Sequence, residues 1–185
     1  MPEKKVKGTM VMDQVRLIRM NKDKDWSEYI KPEDWEIING RILPSVWYPL
    51  ELYWRLGWAA FNVLAKGNLD LVRLRGIAHG KEIFGKIYKN IVFDHNPMKA
   101  LERFVITYSS LFNFSTLKFE KVGEKHAQVH HEWDAKDPTE PPYCHELMGI
   151  LDVLVEMTGG KNVKIKLKAK QWEGAPTTIF DITWE

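Results

Sequence analysis

The chain has 185 residues, of which 44% are hydrophobic and 28% charged, with a net charge of +2 at pH 7 and one cysteine. That length suits one domain with a substantial core. The near-balanced charge gives no global field for nucleic acid or an anionic membrane. One cysteine excludes an intrachain disulfide framework and fits a reducing cytoplasm. Met1 to Lys7 is basic but has no apolar run behind it, so no signal peptide is expected. The most apolar run, Leu56 to Ala65, is interrupted by Asn62 and is too short to span a bilayer. The expectation is a cytoplasmic protein without membrane insertion, a single domain over 1–185 with 1–44 as an N-terminal helical extension.

Residues 8–22 are amphipathic and read as a helix, with a strand as the alternative. Pro32-Glu33-Asp34 opens a second helix, its acidic first turn complementing the helix dipole, and Gly40 stops it. Pro44-Ser45 opens the next, with Ser45 as N-cap. In Trp47 to Ala65, Trp47, Leu50, Trp54, Trp58 and Phe61 recur at three- and four-residue spacing, while Tyr48, Leu52, Leu56 and Ala59 cover another face; a helix apolar nearly all round is a central one. After Gly67-Asn68 a long helix runs from about Leu69 to Tyr88. Its Gly76 and Gly80 let a neighbouring backbone approach, at about 1 kcal/mol each in helix propensity. Asp94 or Asn96 caps a further helix reaching Leu111.

The period then changes to two. Ser115, Leu117 and Phe119 alternate with Thr116, Lys118 and Glu120; past a hairpin turn at Gly123, Ala127, Val129, His131 and Trp133 alternate with His126, Gln128, His130 and Glu132. Asp134 to Tyr143, with three prolines, reads as a loop into a helix that begins at Cys144 and ends at Gly159-Gly160. Two more strands follow. Val163 to Lys170 carries Val163, Ile165, Leu167 and Ala169 on one face and four lysines on the other. Thr177 to Trp184 carries Phe180, Ile182 and Trp184 at period two. Strict alternation marks a half-buried antiparallel sheet. The fold class is α+β: a four-stranded antiparallel sheet with a layer of helices packed on one face.

Trp47-Tyr48-Pro49-Leu50-Glu51, the Gly76 helix, the Cys144 helix with its Gly149, and the ending Phe180-Asp181-Ile182-Thr183-Trp184, in this order of elements, resemble the 4-vinyl reductase-like domain family over nearly the whole chain. The likeness is greatest to its uncharacterised members common in myxobacteria. Its wider relatives include core subunits of the TRAPP complex and, more distantly, haem nitric-oxide-binding domains. The resemblance implies a small-molecule- or protein-binding regulatory domain rather than an enzyme. Relatives that sense phenolic compounds hold zinc by three cysteines and a glutamate. Cys144 matches the first cysteine, but Lys170 and Thr178 stand at the other two, and the fourth ligand falls near Gly123 or Glu124. No zinc is expected on that pattern, and no haem either, since the helix from Ala100 to Leu111 contains no histidine.

Three constellations remain. His126, His130, His131, Glu132 and Asp134 cluster in sequence. On a strand, His130 and Glu132 share a side about 7 Å apart, His126 lies about 13 Å from His130, and His131 faces the other way. The bland reading is a solvated sheet face paired with Lys164 to Lys170, and it is favoured over a metal-dependent hydrolase built on His130 and Glu132. The lysines likewise read as a solvated face opposed by Glu120, Glu132 and Asp181. The aromatic stripe can line a pocket for a flat apolar ligand, with Trp47, Tyr53, Trp54, Trp58, Phe61 and His79 as binding residues, or form an ordinary aromatic-rich core. Cys144 and His145 point about 100° apart and form no nucleophile–base pair, though a helix N-terminus there would lower the thiol pKa. The first expectation is therefore a non-catalytic regulatory domain that binds a small hydrophobic or aromatic ligand, without cofactor, and signals through protein contacts. The alternative is a dimeric scaffold with a solid core.

Overall fold

The computed structural model describes residues 3–114, 116–132 and 138–185. Ser115, at the expected start of the first hairpin, and Trp133 and Asp134, from its end and from the histidine cluster, lie outside the described residues. The chain divides into two compact units, one from residues up to 68 with 110–114, the other from 69–109 with 115–185.

In the first unit, strands β1 (Lys5–Lys7) and β2 (Trp47–Pro49) pair antiparallel with Val6 opposite Tyr48. Leu111 to Asn113 return beside β1, where the Lys7 amide donates to the Leu111 carbonyl and the Asn113 amide to that of Lys5. Helix α1 (Gly8–Met20) buries Val11, Val15 and Ile18, one stripe at helical spacing. Helix α2 (Asp34–Asn39) ends at Gly40 as its sequence predicts. Arg19 of α1 donates to the Ile38 and Gly40 carbonyls, satisfying acceptors that a helix end leaves open. The nearly buried Asp34 carboxylate takes two 2.8 Å bonds from the Arg55 guanidinium of helix α3 (Leu50–Val63). Burial alone would raise the Asp34 carboxyl, but Arg55 outweighs it and holds it below its ordinary value.

Two expectations fail in this unit. Ser45 caps no helix: Trp47–Pro49 is a strand, and α3 begins at Leu50 behind Pro49. The cause is local, because a proline pushes the residue before it toward extended backbone, here Tyr48. The face that α3 buries is not the aromatic one. Leu52, Tyr53, Leu56, Ala59 and Ala60 are buried, whereas Trp54, Trp58 and Phe61 stay half-accessible.

The second unit carries the four-stranded antiparallel sheet: β3 (Leu117–Gly123), β4 (His126–His131), β5 (Lys164–Ala169) and β6 (Thr178–Thr183), in the order β3-β4-β6-β5. Ala127, Val129, Phe180 and Ile182 are fully buried on its inner side, while Lys164, Lys166 and Lys168 point outward. Helix α4 (Leu69–Lys86), short α5 (Lys89–Val92), α6 (Pro97–Ser109) and α7 (Glu140–Met157) complete the unit, with α6 against β3 and α7 against β5 and α4. Asn96 caps α6 through a 3.1 Å bond from the Lys99 amide.

The order of strands corrects one pairing. β6 lies between β4 and β5, so the β5 lysines cannot reach Glu120 or Glu132; only Asp181 of β6 stands opposite one of them, Lys166. The start of α7 is a second correction. It begins at Glu140, four residues before Cys144, with Pro141 and Pro142 in its first turn. Proline fits there because the first amides of a helix have no intrahelical partner to lose.

Helices α4 and α7 are held at backbone contact. A Cβ on Gly76 would overlap the Glu146 carbonyl oxygen, and one on Gly149 would overlap the Arg73 carbonyl oxygen, while one on Gly80 would stand 3.1 Å from the Val153 Cβ. Arg73 bonds Asp152 at 2.8 Å, and Arg75 pairs with Glu146 at 2.9 Å across the same seam. Gly85, on the same helix, has nothing within 4 Å of the corresponding position. Gly76→Ala or Gly149→Ala is therefore expected to destabilise the protein by about 2–3 kcal/mol through backbone displacement. Gly85→Ala should stabilise by up to about 1 kcal/mol through helix propensity. Urea unfolding of the three variants checks the opposite signs.

Candidate functional site

The aromatic residues of α3 divide by position. Trp54, Trp58 and Phe61 recur at four and three residues along one side of the helix, and the Trp58 and Phe61 rings meet at 5.5 Å between centroids. The Asn62 side chain donates to the Trp58 carbonyl at 2.8 Å. Tyr53 is buried with the aliphatic face. Trp47 is on β2 rather than on the helix, 40% exposed, with the Lys7 ammonium 4.7 Å from its ring centroid.

His79 belongs to α4 in the second unit, where its Nδ1 lies 3.6 Å from the Glu146 carboxylate that Arg75 also binds. Burial pushes the Glu146 carboxyl up, but Arg75 and His79 together outweigh it and leave it below its ordinary value of 4.5. Asp152 goes the other way. Its burial is offset by Arg73 alone, and Glu156 adds repulsion, so its carboxyl is raised.

On the outer sheet face, His130 Nε2 lies 2.9 Å from the Glu120 carboxylate of β3. Glu132 is engaged separately by the Lys118 ammonium. His126 lies 2.8 Å from Asp181, which Gln128 also contacts at 2.7 Å. Each residue of the candidate hydrolase pair thus has its own partner across the strands. This is the solvated, cross-paired face that alternation predicts.

His131, on the inner face, is where the structure gathers chemistry. It is fully buried and stacks on Tyr143 at 5.0 Å. Its Nδ1 lies 3.8 Å from Oε1 of Glu140, itself wholly buried in the first turn of α7. One turn further on, the buried Cys144 completes a trio whose donor atoms all lie within 4.8 Å of one another. The Thr178 hydroxyl donates to Glu140 Oε1 at 2.7 Å and accepts the Gln171 amide at 2.9 Å. Glu140 Oε2 has no hydrogen-bond partner among the described residues. Burial lowers the His131 pKa against the pull of Glu140, leaving a neutral imidazole at pH 7.

Burial first, and Glu140 second, push the Cys144 thiol well above its ordinary value. The expected depression by a helix N-terminus does not occur because the helix starts a turn earlier. Of the positions where the resemblance implied zinc ligands, Cys144 and Thr178 both border Glu140, whereas Lys170 turns to Glu173 at 2.8 Å. Glu140 escaped the sequence reading because Glu140-Pro141-Pro142 looks like loop. The available signal was an acidic residue followed by prolines permitted in a first helical turn.

These elements define a known architecture. The chain is similar in fold to the Fe(II) unliganded H-NOX protein from K. algicida (12% identity, 97% of this chain and 96% of that one, TM-score 0.65). It is equally similar to the H-NOX protein from S. oneidensis in the Fe(II)NO ligation state (11% identity, 97% and 99%, TM-score 0.64). A T. Tengcongensis H-NOX mutant matches at 11% identity, 97% of both chains and TM-score 0.60. The protein belongs to the family described as protein of unknown function (DUF2378), whose model matches residues 79–185. No curated protein matches the chain.

Heme distortion has been probed in the H-NOX family, and the residues present here do not fit that group. Helix α6 contains no histidine and buries Ala100, Leu101, Phe104, Val105 and Tyr108. The Tyr108 phenol, which accepts from Tyr143 at 2.9 Å, is raised well above its ordinary pKa by burial and then by Tyr143, so it supplies no phenolate for iron. His95, just before α6, is exposed. No helix among the described residues is long and apolar enough to cross a membrane.

The Glu146 arrangement has a pH signature. Its folded pKa lies below its unfolded one, so its contribution is fully present above about pH 4.5 and is lost as pH falls through the lowered folded value. Between about pH 5 and pH 3 the wild type should lose stability relative to Glu146→Gln. Thermal unfolding across that range checks the sign; the raised Asp152 works in the opposite sense.

Proposed function

We propose that this protein is a non-catalytic regulatory domain of the 4-vinyl reductase-like kind, which binds a small hydrophobic or aromatic ligand and passes the signal on through protein contacts in the cytoplasm. The observation that carries the reading is the half-accessible stripe Trp54, Trp58 and Phe61 on α3. Three large rings on one side of a helix, kept out of its buried aliphatic face, are a platform for a flat apolar molecule: they give contact area and stacking at little cost in side-chain entropy. Likeness of fold to H-NOX proteins, one of them solved in an Fe(II)NO ligation state, supports a ligand-responsive domain. The separately paired His130 and Glu132 speak against hydrolase chemistry on the sheet.

The second reading, a homodimeric adaptor, is favoured by exposed apolar side chains in the second unit: Leu74, Ile87, Phe93 and Ile106 are each at least 59% exposed. Sedimentation separates the two, because the adaptor sediments as a dimer whatever small molecule is present.

A thermal-shift series with phenol, 1-naphthol and indole tests the ligand reading. A hundredfold excess over Kd should raise Tm by about 5–10 °C. Trp58→Ala should abolish the rise while leaving the ligand-free Tm within a few degrees, since Trp58 is not a core residue. The absence of any shift, with no organic molecule retained in native mass spectra, counts against the reading.

A further inference from the structure

We propose that His131, Glu140 and Cys144 form a buried structural site for a divalent zinc-like cation, joining β4 to the first two turns of α7. The donor set comes from this chain's own geometry and shares only Cys144 with the ligand positions that the sequence resemblance implied.

One imidazole nitrogen, one carboxylate oxygen and one sulfur, mutually within 4.8 Å, match the mixed N/O/S preference of zinc. Donors about a tetrahedral zinc stand about 3.5 Å apart, so closure requires side-chain movements of about 1 Å. The charge also matches: a Cys144 thiolate and a Glu140 carboxylate together balance a dication, and the imidazole is neutral. The Thr178 hydroxyl, 2.7 Å from Glu140 Oε1, stands behind the carboxylate as an orienting group.

The second observation that points to a ligand is Glu140 itself. It is 0% exposed, and its Oε2 lacks any hydrogen-bond partner among the described residues. A carboxylate buried with one oxygen open carries a large desolvation cost that a bound cation removes. Complete burial of all three donors keeps substrates out and favours a structural role, with the fourth position of a tetrahedral ion left to an enclosed water. Binding forms a metal–sulfur bond and releases the thiol proton to solvent, so affinity rises with pH.

The test uses full-length, untagged, reduced protein. Elemental mass spectrometry should find about one zinc per chain. It should stay in His130→Ala, which alters only the outer sheet face, and fall sharply in Glu140→Gln and in Cys144→Ser, with affinity reduced by about a hundredfold or more. Should those variants fail to fold, the wild type decides alone. After removal of zinc with a chelator, added cobalt(II) should give tetrahedral d–d bands and a thiolate-to-cobalt charge-transfer band, and should raise Tm. Cobalt spectra without a thiolate band overturn the proposal. So does metal that survives Glu140→Gln and Cys144→Ser but is lost in His130→Ala, which would mark an adventitious ion on the surface histidines.

Discussion

The second unit depends on two helices meeting with no side chain between them at two points. Gly76 faces the Glu146 carbonyl and Gly149 faces the Arg73 carbonyl, so α4 and α7 share backbone surface rather than interdigitated side chains. Such an approach accepts the poorer helix propensity of glycine in exchange for dispersion contact and a fixed crossing. Once the crossing is fixed, the charged residues on its flanks are fixed too. Arg73 reaches Asp152, and Arg75 and His79 converge on Glu146. The opposite pKa directions of these two carboxylates follow from how many partners favour the ionised form, Arg75 and His79 for Glu146 and Arg73 alone for Asp152.

The same helix carries the buried polar cluster at its other end. Because α7 begins at Glu140, residues 140 and 144 lie one turn apart on one side and both face His131 of β4. A helix that began at Cys144 would have left Glu140 in a solvated loop and the histidine among apolar neighbours. The inner face of the sheet is therefore not uniformly apolar. Among the described residues it contains a fully enclosed polar island on the same strand face as Ala127 and Val129, and charge there is expensive to leave uncompensated.

Much of the architecture was legible because periodicity is a strong signal when one face is buried. The alternation in 163–170 and 177–184 put every lysine of β5 on the correct side, and Gly76 and Gly80 announced a close helix contact. What the sequence concealed was governed by proline and by neighbours. Pro49 turned the expected helix start at Trp47 into a strand, and Pro141-Pro142 disguised a helix start as a loop. The order β3-β4-β6-β5 cannot be deduced from strands that all alternate equally well, so the partners of Glu120 and Glu132 were assigned to the wrong strand. Aromatic spacing put Trp54, Trp58 and Phe61 on one side of α3 but wrongly carried the stripe back to Trp47, which is on β2, and spacing alone does not say which of two apolar faces the fold covers. Leu52, Leu56 and Ala59 took the interior, leaving the larger rings only partly covered.

That strand order also leaves β5 at the border of the sheet, hydrogen-bonded on one side only among the described residues. An unpaired border is a template on which further copies can add strands and grow into fibrils. Here the border strand repeats a cation at Lys164, Lys166 and Lys168. Two molecules meeting border to border would bring these ammonium groups into opposition, with mutual repulsion that salt weakens. Resistance to self-polymerisation is thus written into the same alternation that sets the inner face of the sheet.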